Sequence, residues 1–210
     1  MWLAWLNLEH GYGDARSLEQ AFAQASAESN GKLLHLRLSE TYERAGDAEG
    51  AARLLEKALK KYKYSKKVWM QCQHLELRRG QHGAAKALLA RSLQSLSRHK
   101  HVEVITKYAC AEFDSQAGGS QDRGRVVFEE LLASYPKRTD LWHVYVDRET
   151  KAGNVDRARQ LFERMLGLRL NIKNVKAVFK KYLDFEKRFG DERSQAEVRD
   201  KARAYANSMN

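Results

Sequence analysis

The sequence predicts an all-α protein built as an α-solenoid, and two observations carry this prediction. A pattern of large residues, a glutamate and a glycine recurs about six times along the 210 residues. Between its copies, apolar residues recur at the three- and four-residue spacing of an α-helix, and no segment alternates polar and apolar residues over the length of a strand. Helix pairs of this length bury their apolar faces by stacking on neighbours. We therefore expect about six helix-pair repeats in a single domain over residues 1–210.

In each copy, a bulky residue is followed by a second after three positions and by a glutamate after four more. This spacing places the three residues on one face of a helix, which predicts a structural core between repeats. The glutamate-equivalent positions 9, 42, 76, 112, 149 and 186 lie 33 to 37 residues apart, and the second copy is degenerate. The signature residues are Trp2, Trp5 and Glu9; Trp69 and Glu76; Tyr108 and Glu112; Trp142, Tyr145 and Glu149; and Phe179, Tyr182 and Glu186.

Glycines and short polar residues mark the turn inside each pair. Glycine just after a helix favours a left-handed cap, which we expect at positions such as Gly13, Gly46, Gly80, Gly153 and Gly190. The N-caps of the following helices are predicted from the next residues, Asp14, Asp47, Asn154 and Asp191. Each signature glutamate lies one turn before a helix end, where it is expected to accept hydrogen bonds from a tyrosine, an arginine or backbone N–H groups.

Composition and motifs exclude several classes of protein. With 43% apolar residues the chain is not disordered, and its longest apolar run, residues 2–6, is too short to cross a membrane or to serve as a signal peptide. The sequence contains no glycine-rich phosphate loop, no His-Glu-x-x-His and no Cys-x-x-Cys. Cys72 and Cys110 lie at apolar helix positions, and His99 and His101 are poorly spaced for one metal ion. We therefore predict no enzyme activity, no metal or other cofactor and no small-molecule substrate.

The net charge of +11 is distributed evenly, with +6 in residues 1–105 and +5 in residues 106–210. Turns within pairs are mostly acidic, whereas the links between pairs are basic. Helix dipoles explain these signs, but not six lysines within residues 57–67 or the absence of acids from residues 164–183. The candidate contacts to RNA or to an acidic partner are Lys60, Lys61, Lys63, Lys66, Lys67, Arg98, Lys100, Lys137, Arg138, Arg169, Lys173 and Lys176.

A plain solvated edge is the alternative interpretation of these cations. Because the links between pairs lie along one side of a helix-pair array, we otherwise expect these cations to form a single stripe that suits a polyanion. Tyr62 and Tyr64 alternate with the lysines, where a tyrosine either stacks on a base or packs in the core.

The period and the aromatic–aromatic–Glu signature resemble HAT (half-a-TPR) repeats, which are found mostly in RNA-processing proteins. The stretches WLNLEHGYG (5–13), HVEVITKYACAEF (101–113), YPKRTDLWHVYVD (135–147) and FKKYLDFEKRFG (179–190) resemble the C-terminal repeats of the ribosomal RNA processing protein 5 family. That resemblance implies a nuclear, nucleolar assembly factor whose partners are pre-ribosomal particle proteins and precursor rRNA. Members of that family carry OB-fold RNA-binding domains before the repeats, so we expect this chain to be a C-terminal fragment of a longer protein.

Three hypotheses for function follow. The first is a non-catalytic scaffold that docks proteins and precursor rRNA during small-subunit rRNA processing and assembly. The second is a direct RNA-binding module with chiefly electrostatic affinity. The third is a HAT scaffold of another RNA-processing complex, in splicing or 3′-end formation.

Overall fold

A computed structural model of the chain describes residues 1–115 and 118–208. Within these residues the backbone forms twelve α-helices and no strand, which confirms the all-α prediction. The helices are α1 Trp2–Tyr12, α2 Ala15–Glu28, α3 Gly31–Arg44, α4 Ala48–Lys61, α5 Lys66–Arg78, α6 His82–Ser95, α7 His101–Phe113, α8 Ser120–Ser134, α9 Thr139–Lys151, α10 Val155–Leu166, α11 Ile172–Phe189 and α12 Glu192–Asn207. A 3₁₀ turn, Arg98–Lys100, precedes α7.

The helices follow one another as helix–turn–helix pairs, and the predicted α-solenoid class is confirmed. By its contacts the chain groups into two compact units, residues 1–127 and residues 128–210. The organisation of residues 1–210 as one repeat domain stays a prediction.

In residues 1–127, the first helices of successive pairs pack on one another, α1 on α3, α3 on α5 and α5 on α7. The second helices α2, α4 and α6 each pack on the first helix of their own pair and on the first helix of the next pair. The core is therefore a series of small clusters rather than one centre. One cluster combines Leu6 of α1 and Leu18 of α2 with Leu34 and Leu38 of α3. No helix pair could bury these side chains alone, which is the physical reason for stacking.

In residues 128–210, two stacked aromatic pairs join neighbouring helices. The rings of Phe128 and Tyr145 lie 4.7 Å apart and nearly parallel, and the rings of Phe162 and Tyr182 repeat this arrangement at 4.7 Å. Tyr145 and Tyr182 occupy the same position of the repeat signature. The signature tyrosine of these repeats thus packs on a phenylalanine of the preceding helix.

The helix ends agree with the predictions at most positions. Asp14, Asp47 and Asp191 cap their helices by accepting backbone N–H hydrogen bonds, as predicted. Asn154 occupies the N-cap of α10, but its side-chain amide donates to Glu149, at 2.9 Å.

Left-handed glycine caps are confirmed at Gly46, Gly80 and Gly153, where φ is 82°, 72° and 79°. At Gly13 and Gly190 the prediction is wrong, since φ is −88° and −112°.

These two positions exclude a side chain for another reason. A Cβ on Gly190 would collide with the carboxylate of Glu186 and the hydroxyl of Ser194, and a Cβ on Gly13 would meet the equivalent groups of Glu9 and Ser17. The serines complete capping boxes with Asp14 and Asp191. The first and last turns therefore use glycine to admit a close approach of the capping groups.

Candidate nucleic-acid interface

Lysines from three separate stretches of the chain line one groove of about 480 Å³ in residues 1–127. The end of α4, the α4–α5 link and the start of α5 supply most of them, α3 supplies Lys32, and the 3₁₀ turn supplies Lys100. The lining residues, named below as the basic groove, are Lys32, Lys61, Tyr62, Lys63, Tyr64, Ser65, Lys66, Lys67 and Lys100. The structure thus brings together five of the cations predicted from the sequence, and it adds Lys32.

The basic groove keeps most of its positive charge. Among the described residues, Glu103 is the one carboxylate that pairs with a groove lysine, and it binds Lys66. Lys61, Lys63 and Lys67 are exposed. Positive charges that line one groove repel each other, and an anionic ligand bound there would reduce this repulsion.

The remaining predicted cations are placed differently. Lys60 lines a neighbouring groove over α5, and Arg98 is exposed on the 3₁₀ turn. In residues 128–210 the candidates are all exposed: Lys137, Arg138, Arg169, Lys173 and Lys176. A single stripe through both units stays a prediction.

Arg138 has an acidic partner close to it in sequence. Its guanidinium donates to both carboxylate oxygens of Asp140, at 2.8 and 2.7 Å, and these hydrogen bonds lower the pKa of Asp140. Asp140 and Glu103 lie just outside the acid-free links. Their carboxylates thus partly neutralise the positive charges of Arg138 and Lys66.

The signature tryptophans hold the links that carry these cations. Trp69 donates its indole N–H to the carbonyl of Lys63, at 2.7 Å, and Trp142 donates to the carbonyl of Pro136, at 2.9 Å. In both cases the acceptor lies six residues before the tryptophan. Because Trp69 is buried in the core, it fixes one side of the basic groove to the solenoid.

The rest of the repeat signature lies in or near the core. Buried members are Trp69, Tyr108, Glu112, Trp142, Tyr145, Glu149, Tyr182 and Glu186, and half-buried members are Trp2, Trp5, Glu9, Glu76 and Phe179. The glutamates accept hydrogen bonds from the expected arginine and tyrosine donors, and also from an indole and a side-chain amide that were not expected. Glu186, for example, accepts two from Arg159, at 2.9 and 3.1 Å, and Glu9 accepts from the Trp5 indole, at 3.0 Å.

Glu112 has three side-chain partners. It accepts from the hydroxyl of Tyr108, at 3.2 Å, from the guanidinium of Arg123, at 2.5 Å, and it lies 2.8 Å from a ring nitrogen of His82. Burial, followed by the neighbouring Glu112 carboxylate, raises the pKa of Tyr108. Such a network ties α5–α6 to α7–α8 and serves the packing of the repeats.

Cys72 and Cys110 are free cysteines, and both are buried. Burial raises the pKa of the Cys72 thiol to about 12, which keeps it protonated. Within residues 1–115 and 118–208, no three His, Cys, Asp or Glu side chains cluster as metal ligands. Among the described helices, none combines the length and apolar character needed to cross a membrane.

Comparison with known sequences agrees with this architecture. A family described as the N-terminal HAT repeat of pre-mRNA-splicing factor Syf1/CNRKL1 matches residues 54–205, most of the chain. The chain belongs to this HAT-repeat family. The signature tryptophans and glutamates described above are therefore residues that pack and connect the helices of a HAT-repeat array.

Individual relatives of this HAT chain come from ribosome assembly and from splicing. It is 40% identical to the rRNA biogenesis protein RRP5 of Arabidopsis thaliana, over 99% of this chain and 11% of that protein. It is 38% identical to rrp5 of Schizosaccharomyces pombe, over 98% of this chain and 12% of that protein. The pre-mRNA-splicing factor cwf4 of Schizosaccharomyces pombe is 26% identical, over 88% of this chain and 29% of that protein. These identities confirm the resemblance to the ribosomal RNA processing protein 5 family, of whose members the HAT chain spans about a ninth.

Two features of the basic groove were not predicted from the sequence: Lys32 in its lining and the pairing of Lys66 with Glu103. The repeat period nevertheless indicates both. Lys32 and Lys66 each lie ten residues before the glutamate-equivalent position of their repeat, 42 and 76, whereas Glu103 lies nine residues before Glu112, one position further on. Stacked repeats place equivalent positions side by side. Comparing Lys66 with the residues at and next to its equivalent position one period away would have found both.

Proposed function

We propose that this chain is a non-catalytic scaffold of ribosome biogenesis. It docks pre-ribosomal particle proteins and precursor rRNA during small-subunit rRNA processing and assembly, in the nucleolus. The observation that carries the proposal is the basic groove, because a polyanion such as precursor rRNA matches its charge. Near-complete alignment of the chain with two proteins named for rRNA biogenesis supports the choice of process.

The groove argues for phosphate contacts more strongly than a count of lysines does. Its six lysines come from α3, from the end of α4 through the start of α5, and from the turn before α7, so folding concentrates them. Each lysine that neutralises a phosphate releases condensed counterions, which makes such binding strongly dependent on salt. A solvated edge would show no such dependence.

A HAT scaffold of the splicing machinery is the second candidate. The matching family and cwf4 both carry splicing names, which favours it. The RRP5 relatives are more similar, at 38–40% identity against 26%, and they favour ribosome assembly.

The test compares two charge-reversed variants of equal net charge. Lys61→Glu with Lys67→Glu changes two exposed groove lysines, and Lys86→Glu with Lys107→Glu changes two exposed lysines elsewhere in residues 1–127. Binding of single-stranded RNA is measured over a salt series. The groove variant should bind more weakly at low salt, and its log–log salt slope should fall by about 0.7 per lost phosphate contact. The control variant should retain the wild-type slope.

The same variants address the process in cells. In the protein that contains this chain, the groove variant should dissociate from pre-ribosomal particles on gradients and accumulate unprocessed small-subunit rRNA precursor. Equal losses from both variants would indicate general charge sensitivity and remove the groove as the site. If the groove variant retained introns but processed rRNA normally, we would assign the chain to splicing instead.

A further inference from the structure

The two tyrosines of the α4–α5 link have different environments. The ring of Tyr62 packs edge-on against buried His35, with centroids 5.6 Å apart, and its hydroxyl would lie 2.8 Å from a Cβ on Gly31. Tyr64 is 65% exposed and stands among the groove lysines. Tyr62 therefore belongs to the repeat packing, and Tyr64 is available to a ligand.

The backbone that carries Tyr64 is held on both sides. The carbonyl of Lys63 accepts the Trp69 indole N–H, and the carbonyl of Tyr64 accepts from the ammonium of Lys100, at 3.3 Å. A turn hydrogen bond of 2.9 Å, from the backbone N–H of Ser65 to the carbonyl of Tyr62, closes the link. These hydrogen bonds hold the backbone that presents the ring, which lowers the entropy lost when a ligand orders the link.

Cations surround the ring. The ammonium of Lys63 lies 5.0 Å from its centroid, a cation–π distance, and Lys61 and Lys67 line the same groove. An exposed aromatic ring inside a positive groove is the arrangement by which proteins bind single-stranded nucleic acid: the bases stack on the ring and the phosphates meet the cations.

We propose that Tyr64 is a stacking platform for one base of a single-stranded RNA segment whose phosphates lie in the basic groove. The inference rests on the proposed function and specifies its ligand. A double-stranded RNA offers no unstacked base for the ring. An acidic peptide would use the lysines and leave the ring without a role.

The experiment separates the base from the phosphates. Binding of a short oligouridylate, of inorganic polyphosphate with the same charge, and of oligoglutamate is measured for wild type, Tyr64→Ala, Tyr64→Phe and Tyr12→Ala. Tyr12 is 89% exposed on α1 and lies outside the groove, so it is a matched control. Tyr64→Ala should weaken oligouridylate binding about 5- to 150-fold and leave polyphosphate binding unchanged. Tyr64→Phe and Tyr12→Ala should bind like wild type.

The contrary outcomes are distinct. Wild-type oligouridylate binding by Tyr64→Ala, or equal losses for oligouridylate and polyphosphate, would overturn the stacking role while leaving the groove as a phosphate site. Oligoglutamate bound as tightly as oligouridylate, with neither affected by Tyr64→Ala, would assign the groove to an acidic protein. If wild type bound neither oligouridylate nor polyphosphate, the proposed function itself would fail.

Discussion

Replacement of Trp142 by alanine tests the interpretation of the aromatic signature as structure. The side chain is 3% exposed, donates to the carbonyl of Pro136, and carries the guanidinium of Arg164 at 5.0 Å from its ring. Arg164 is in turn held by two hydrogen bonds to Glu129, at 2.8 and 2.7 Å. The ring therefore joins α9, α10 and the α8–α9 link.

The expected loss follows from these contacts. Removal of a fully buried tryptophan costs about 3–5 kcal/mol, since it forfeits the transfer free energy and leaves a cavity. Trp142→Phe keeps most of the ring volume but loses the indole donor, for which we expect about 1–2 kcal/mol in total. The two variants together separate packing from the hydrogen bond.

The free energy of unfolding is measured by urea denaturation followed by far-ultraviolet circular dichroism. Tyr64→Ala is the control, because replacing an exposed side chain changes stability by no more than about 0.5 kcal/mol. The structural reasoning is refuted if Trp142→Ala loses less than about 1 kcal/mol, below the range for a buried tryptophan. It is likewise refuted if the variant keeps wild-type stability but loses RNA binding, since Trp142 would then be a contact surface.

Two further predictions concern packing and pH. Gly124 of α8 lies so close to α7 that a Cβ would stand 2.8 Å from Phe113, so Gly124→Ala should lower the melting temperature. Gly83 of α6 has open space around it, so Gly83→Ala should raise the free energy of unfolding by about 0.5–1 kcal/mol. Burial, with a smaller contribution from Lys181, lowers the pKa of His143 to about 4. Since the unfolded chain binds this proton near pH 6.5, stability should fall as the pH drops from about 6.5 to 4. His143→Gln should flatten that dependence in urea titrations, and an unchanged pH profile would contradict the assignment.

The sequence by itself determined the helices and their repetition. Spacings of three, four and about 35 residues are local or periodic signals, and they predicted the helix pairs, the buried Trp69 and Trp142, and the aspartate caps. The same signals gave a left-handed cap at Gly190, where the structure instead uses glycine for close approach. A pattern indicates that glycine is needed but does not distinguish a positive φ from a steric limit.

Only the tertiary structure decided how the charges and tyrosines are used. It gathered Lys32 and Lys100 beside the α4–α5 link, paired Lys66 with Glu103, and left Tyr64 exposed while Tyr62 packed. These contacts join residues about one repeat apart, and they depend on the offset between stacked helix pairs. Hydrophobic periodicity fixes which face of each helix is buried, but the offset is set by how the buried side chains interdigitate. For that reason the sequence identified the basic links, and the fold converted one of them into a groove.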